Sequence, residues 1–197
     1  MGTDSLALMG RALLIIDMQE SLIPAIWRGE ELADRIAVLA ESARKEGVPV
    51  IALQQTGPAG TPFDPKEPGW QLSPRLGMQE ADLRVRKSAT DSFFETDLAD
   101  LLAARDVDTV VVTGVATDYC VDATARSALS HGLNVALVSD GHAPATEGDP
   151  HATLMPEQIV EHHNWVLSQA IHPGGRLSLI AAAEVFSNHG ESCEVPR

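Results

Sequence analysis

Thr109-Val110-Val111-Val112-Thr113-Gly114 is the stretch on which the fold turns. Three consecutive valines between threonines, with no polar alternation, mark a strand buried on both faces, as strands inside parallel sheets are. Upstream, Ala12-Leu13-Leu14-Ile15-Ile16 and Val50-Ile51-Ala52-Leu53 have the same character, and downstream so does Val135-Ala136-Leu137-Val138. Helical spacing fills the intervals. Leu32, Ile36, Leu39 and Ala43 recur every three or four residues from about Glu30, with Gly47 as the stop and Pro49 blocking continuation. Thr96 and Asp97 can cap a helix through Leu98, Leu101 and Leu102, and Val121, Ala125, Ala128 and Leu129 share one face of another that stops at Gly132. A fourth helix is expected from Pro156 to Gln169, and Leu177-Ser178-Leu179-Ile180 reads as a last strand. Asp82 to Lys87 alternates weakly and suits a third strand near a sheet edge. Strands and helices in this rhythm imply right-handed βαβ units. The expected fold class is α/β, a three-layer α/β/α sandwich around an open, mostly parallel sheet.

The chain has 197 residues, which fits one domain, and its 44% hydrophobic and 21% charged residues suffice for an ordinary core. A formal net charge of −14 repels phosphate backbones and anionic lipid, so neither nucleic acid nor a membrane is an expected partner. No apolar run reaches the roughly 18 residues of a membrane span, and MGTDSLALMGR lacks the features of a secretory leader, so a cytoplasmic location is expected. Cys120 and Cys193 are too few for a disulfide framework, and Cys193 reads as incidental. The domain is expected over residues 11–187, between a flexible N-terminus (1–10) and a flexible tail (188–197). Gly57 to Gly77 holds five prolines and four glycines with no periodicity. So long a break suggests a lid or a subunit contact over about 57–80, and with it a homo-oligomer.

Ligands of an open parallel sheet bind beyond the carboxyl ends of its strands. Asp17 closes the first strand, Lys87 closes the third, and Cys120 follows the fourth where a helix begins. Singly, each has an ordinary reading: a capping acid, a surface charge, a small buried hydrophobe. Together, three different reactive types at one sheet edge form a candidate site. With Thr117 or Asp118 as N-cap, Cys120 falls in the first helical turn, where backbone N–H groups favour a thiolate and can hold an oxyanion. Asp17 at close range would favour the thiol instead, so either form is compatible with these residues.

The run GVATDYCV (114–121) resembles the cysteine signature of the isochorismatase-like hydrolase superfamily. IIDMQ (15–19) resembles its first-strand motif and RKSATDSFFETDL (86–98) its lysine motif, in the family's order. The resemblance runs from about Arg11 to about Val185 and implies a Rossmann-like, isochorismatase-like hydrolase fold with Asp17, Lys87 and Cys120 as a catalytic triad. It implies a proton-accepting Asp17, a thiolate-stabilising Lys87 and a Cys120 that forms an acyl-enzyme. It also implies a non-proline cis peptide at Val115–Ala116, with the backbone N–H groups of Ala116 and Cys120 as oxyanion hole.

The implied function is a cysteine hydrolase that cleaves a small-molecule amide-type C–N bond. Metal-containing nicotinamidases of this family carry an Asp-x-His pair and a further His after the second strand. Here that stretch reads Gln54-Gln55-Thr56-Gly57-Pro58-Ala59-Gly60, and no His precedes His131, so no metal and no cofactor are expected. Asp140-Gly141-His142 has a metal-like spacing but reads as a turn with an Asp cap, and His162-His163 read as packing residues. Leu22, Phe93 and Tyr119 are candidate walls of a substrate pocket because they lie close in sequence to the triad; Trp27 and Trp70 are more readily core or interface. Two other functions compete. An isochorismatase-type vinyl ether hydrolase is disfavoured by the presence of Cys120, and a non-catalytic interaction module on the same fold by the intact triad. A thiol redox role lacks a nearby resolving cysteine.

Overall fold

A computed structural model of the chain describes residues 10–145 and 154–186. The expected tail at 188–197, Cys193 and all of the N-terminal segment but Gly10 lie outside them. Six strands, β1 (Arg11–Ile16), β2 (Val50–Gln55), β3 (Leu83–Lys87), β4 (Thr109–Val115), β5 (Asn134–Ala143) and β6 (Leu177–Ile180), form one sheet in the order β3-β2-β1-β4-β5-β6. All five pairings are parallel. Four α-helices connect them: α1 (Gly29–Lys45), α2 (Leu98–Ala103), α3 (Asp122–Ser130) and α4 (Pro156–Ser168). The α/β/α sandwich expected from the strand–helix rhythm is the observed fold, and β3 is an edge strand as its weak alternation suggested.

The central strands are apolar throughout because both faces are covered. Leu13 and Ile15 of β1 pack with Leu32, Ile36 and Leu39 of α1 on one face. Leu14 and Ile16 pack on the other with Leu98 and Leu102 of α2, Ala125 and Leu129 of α3, and Leu167 of α4. Each such fully buried Leu or Ile contributes about 1.5–3 kcal/mol, so two full layers anchor β1 and β4 at the centre of the sheet. The segment from 57 to 80 is largely exposed and holds two short 3₁₀ turns, Pro68–Trp70 and Pro74–Leu76. Trp70 and Leu76 are buried, and Leu72 bridges to Gln19.

Two local devices shape the carboxyl edge of the sheet. Gly114 pairs with Ile16 at φ +115, and a Cβ there would lie 2.2 Å from the Ile16 carbonyl oxygen and 2.6 Å from its nitrogen. Only glycine lets β4 approach β1 this closely just before Asp17. In β5, Leu137 pairs with Val112 but His142 pairs with Gly114, so β5 carries three extra residues between these pairs. A Cβ on Gly141 would stand 2.6 Å from the Val138 side chain, so this bulge also needs glycine. The sequence expectation of a turn at Asp140-Gly141-His142 is thereby corrected. The strand runs on through the bulge to Ala143, and Asp140 Oδ1 accepts the Ala182 N–H at 2.8 Å instead of capping a turn.

Gly114→Ala is expected to destabilise the fold by at least about 3 kcal/mol, from backbone collision added to left-handed strain. Gly60→Ala, at φ +77 with open space around its Cβ, should cost only about 1 kcal/mol. Urea unfolding of the two variants checks this, and equal losses would contradict the steric account.

Candidate active site

Asp17 follows β1 in the left-handed region (φ 51), a conformation Asp tolerates better than most residues. Its N–H donates to Leu53 O at 2.9 Å, and its Oδ1 accepts the Gln55 N–H at 2.9 Å. The acid is therefore tied to the end of β2 by backbone on both sides. Lys87 ends β3 in register with Gln55, which brings its side chain to the same edge. Cys120 sits in a π-helical turn, Thr117–Val121, that leads directly into α3.

These three residues, 103 positions apart at the extremes, meet in one cluster. Lys87 Nζ lies 2.7 Å from Asp17 Oδ2 and 3.3 Å from Cys120 Sγ. It also donates to Gln55 Oε1 at 2.7 Å and Ala89 O at 3.1 Å. Asp17 and Cys120 flank the same ammonium, and each shifts the other's proton affinity. Asp17 and Lys87 are each only 2% exposed, and Cys120 is half-buried, so the cluster opens to solvent on the thiol side.

Burial pushes the Asp17 carboxyl above its ordinary range against the opposing pull of Lys87, which makes it a stronger base than a surface carboxylate. Burial and the Asp17 charge together push the Cys120 thiol up to about 12, although Lys87 opposes them. Of the two forms left open by the sequence, these shifts favour the thiol, with Lys87 placing a positive charge 3.3 Å from the sulfur, where a thiolate would form.

The peptide Val115–Ala116 is cis, as the resemblance implied, but the turn that holds Cys120 has Ala116 as its N-cap, with extended backbone and no side-chain cap. Neither Thr117 nor Asp118 is the N-cap. Thr117 is inside the turn, fully buried, and its hydroxyl faces His142 Nδ1 at 2.9 Å because the β5 bulge brings that ring alongside.

The candidate pocket residues separate. Tyr119 is largely exposed beside Cys120, and Leu22 is half-buried against the α1-side core. Phe93 lies in the other core layer, the one on which Cys120 also packs, with its ring stacked on His131 just past the far end of α3 at 4.6 Å between ring centroids. Trp70 donates its indole N–H to Gln55 O at 3.0 Å.

Two residues of the site were missed from sequence. Gln19, fully buried, accepts the Gln55 N–H at 3.0 Å and donates to Gln55 O and Trp70 O at 3.1 and 2.9 Å. Gln55 thus carries Lys87 on its side chain and is fastened through its backbone. The only sequence signal was the position of Gln19 two residues after Asp17 in IIDMQ; a glutamine ending a strand gives none.

Comparison with known proteins fits this geometry. The family model described as the isochorismatase domain matches residues 11–170. A streptothricin hydrolase of Streptomyces noursei is 37% identical over 146 residues, 70% of this chain and 58% of that protein. A second streptothricin hydrolase is covered over 49% of its length, so the chain spans about half of these two relatives. The nicotinamidase of Escherichia coli K12 is 27% identical, with 66% of this chain and 82% of that protein aligned. The crystal structure of an isochorismatase from Pseudomonas putida KT2440 superimposes with a TM-score of 0.79 at 25% identity, covering 92% of this chain and 93% of the other. With its sheet order, its motifs and four-fifths of its length matched, the chain belongs to the isochorismatase family.

Proposed function

We propose that the chain is a cysteine hydrolase that opens an amide-type C–N bond of a small molecule through an acyl-enzyme. The observation that carries this reading is the single ammonium of Lys87 in contact with both the Asp17 carboxylate and the Cys120 sulfur. Two relatives named above, a streptothricin hydrolase and a nicotinamidase, support hydrolysis as the activity, the second at an amide.

In this scheme Cys120 Sγ attacks the carbonyl carbon while its proton passes to Asp17, on the far side of the shared ammonium. The charge that develops on the carbonyl oxygen is held by the backbone N–H groups of Ala116 and Cys120. Lys87 stabilises the negative charge on sulfur throughout. Collapse of the tetrahedral adduct breaks the C–N bond, and Asp17 gives its proton to the departing nitrogen. Water then attacks the thioester, Asp17 accepts the water proton, the acid is released and the proton returns to sulfur. Every proton movement uses one carboxylate, which its raised affinity suits. Leu22 and Tyr119 are the proposed walls for the substrate, and the segment 57–80 is a lid or a subunit contact of a cytoplasmic homo-oligomer.

A screen of small amides, ureas and carbamates for ammonia or amine release tests the activity. Cys120→Ala should abolish the turnover found while the protein stays folded, and Cys193→Ala should leave it nearly unchanged. Comparable turnover by the Cys120 variant would end the acyl-enzyme scheme.

The electrostatics make a second, signed prediction. Asp17 raises the Cys120 pKa and Lys87 lowers it. In a Cys193→Ala background, Asp17→Asn should move the pH midpoint of Cys120 alkylation by iodoacetamide downward, and Lys87→Met should move it upward, each by about one unit or more. Both variants should lose turnover, the first for want of a proton carrier and the second for want of the cation. Superimposable alkylation profiles for the parent and Lys87→Met would contradict contact between Lys87 and Cys120.

A further inference from the structure

Beyond the triad, one buried hydrogen-bonded chain leads to the nucleophile turn and takes no part in the scheme above. Thr117, the first residue of that turn, places its hydroxyl 2.9 Å from His142 Nδ1. His142 Nε2 lies 3.0 Å from Asn164 Oδ1, and Asn164 Nδ2 donates to Ser139 O at 2.9 Å. The directions of these bonds follow from one another. Because the Asn164 amide nitrogen is committed to a carbonyl, its oxygen faces the ring and accepts, so Nε2 carries the ring proton. Nδ1 is then an acceptor, and the Thr117 hydroxyl donates to it.

The placement is built by three elements at once. His142 reaches Thr117 only because β5 carries its three extra residues, Asn164 comes from α4, and Thr117 is fully buried, its hydroxyl having no other polar partner among the described residues. Burial drives the His142 pKa down to about 4, so the ring stays neutral and Nδ1 stays an acceptor across the physiological range. The groups around the ring are Asn164 and His163 of α4, Thr117 of the turn and Asp140 of its own strand. The turn has no side-chain N-cap, so this bond is the side-chain tie that fixes where it starts. Three residues further on, Cys120 must meet Lys87 at 3.3 Å.

We propose that His142 is a positioning residue for Cys120. Acting through the Thr117 hydroxyl, it holds the nucleophile turn at the register that keeps sulfur between Asp17 and Lys87. This rests on the reading of Cys120 as the nucleophile and adds a determinant of its position. The histidine does not touch substrate or exchange a proton; it supplies a fixed acceptor in a dry setting, where a missing partner is costly.

The test measures where the sulfur is. In the full chain with Cys193→Ala, the rate of Cys120 alkylation by iodoacetamide is followed against pH, with thermal unfolding recorded for every variant. Thr117→Val keeps the shape and removes the donor; His142→Phe removes the acceptor; Thr117→Ser keeps the hydroxyl. A sulfur released from burial and from Asp17 titrates nearer an ordinary thiol. Thr117→Val and His142→Phe should therefore lower the alkylation midpoint by about one unit or more, and Thr117→Ser should retain the parent value. Asn164→Leu, which unpins the ring, should give a smaller shift of the same sign and covers the case in which the more buried variants do not fold. An unchanged midpoint in any of the folded Val, Phe or Leu variants would overturn the proposal. A Ser variant shifted as far as Val would overturn it too, since packing rather than the hydroxyl would then hold the turn. Turnover retained in Cys120→Ala would end the reading of the nucleophile without altering these midpoints, so the two failures are distinguishable.

Discussion

A lysine ammonium withdrawn from water between a carboxylate and a thiol is the constraint on which the rest of this structure depends. An ammonium in such a setting is tolerable only if its protons are all directed at acceptors. Asp17, Gln55, Ala89 and Cys120 surround it within 3.3 Å. These partners come from three different strand ends and a loop, so the sheet must deliver all of them in register. The two core layers that clamp β1 and β4 serve that demand as much as they serve stability. So does Gly114, which brings β4 against β1 beside the acid.

The scaffold around the cation is polar but closed. Gln19 fastens Gln55 through its backbone and reaches across to the Trp70 carbonyl, while Gln54 donates to that same carbonyl at 2.8 Å. The irregular segment after β2 is thus fastened to the site at Trp70 by two glutamine side chains. Of Asp17, Lys87 and Cys120, the first two are buried and the thiol alone is half-exposed.

The layers and their order were legible in the sequence because burial on both faces leaves an unmistakable record. The run at Ala12–Ile16 has no polar residue and that at Thr109–Gly114 only two buried threonines, and the helices between them repeat every three or four positions. The clustering of Asp17, Lys87 and Cys120 was legible for a related reason, since each terminates or follows a strand. What could not be read was anything that depends on a strand's exact register. Thr117 has the chemistry of a cap, and only the three extra residues in β5 give its hydroxyl a histidine to bind. His142 looked like part of a turn for the same reason. Phe93 lies close to Lys87 along the chain, but the loop after β3 carries its ring down α3 to His131, a distance that sequence proximity does not encode.

Lys87 stands on β3, an edge strand held by β2 alone, and only Val85 and Lys87 of its five residues are buried. A slip of one residue would present Arg86 or Ser88 to Gln55, and a slip of two would present Val85. Either error would displace Val85 and Leu83 from one core layer but leave the rest of both layers in place, and the cluster would have lost its cation. The activity proposed for this protein would therefore report on the placement of an edge strand as well as on the core. A chain with β3 out of register would be compact and yet inactive.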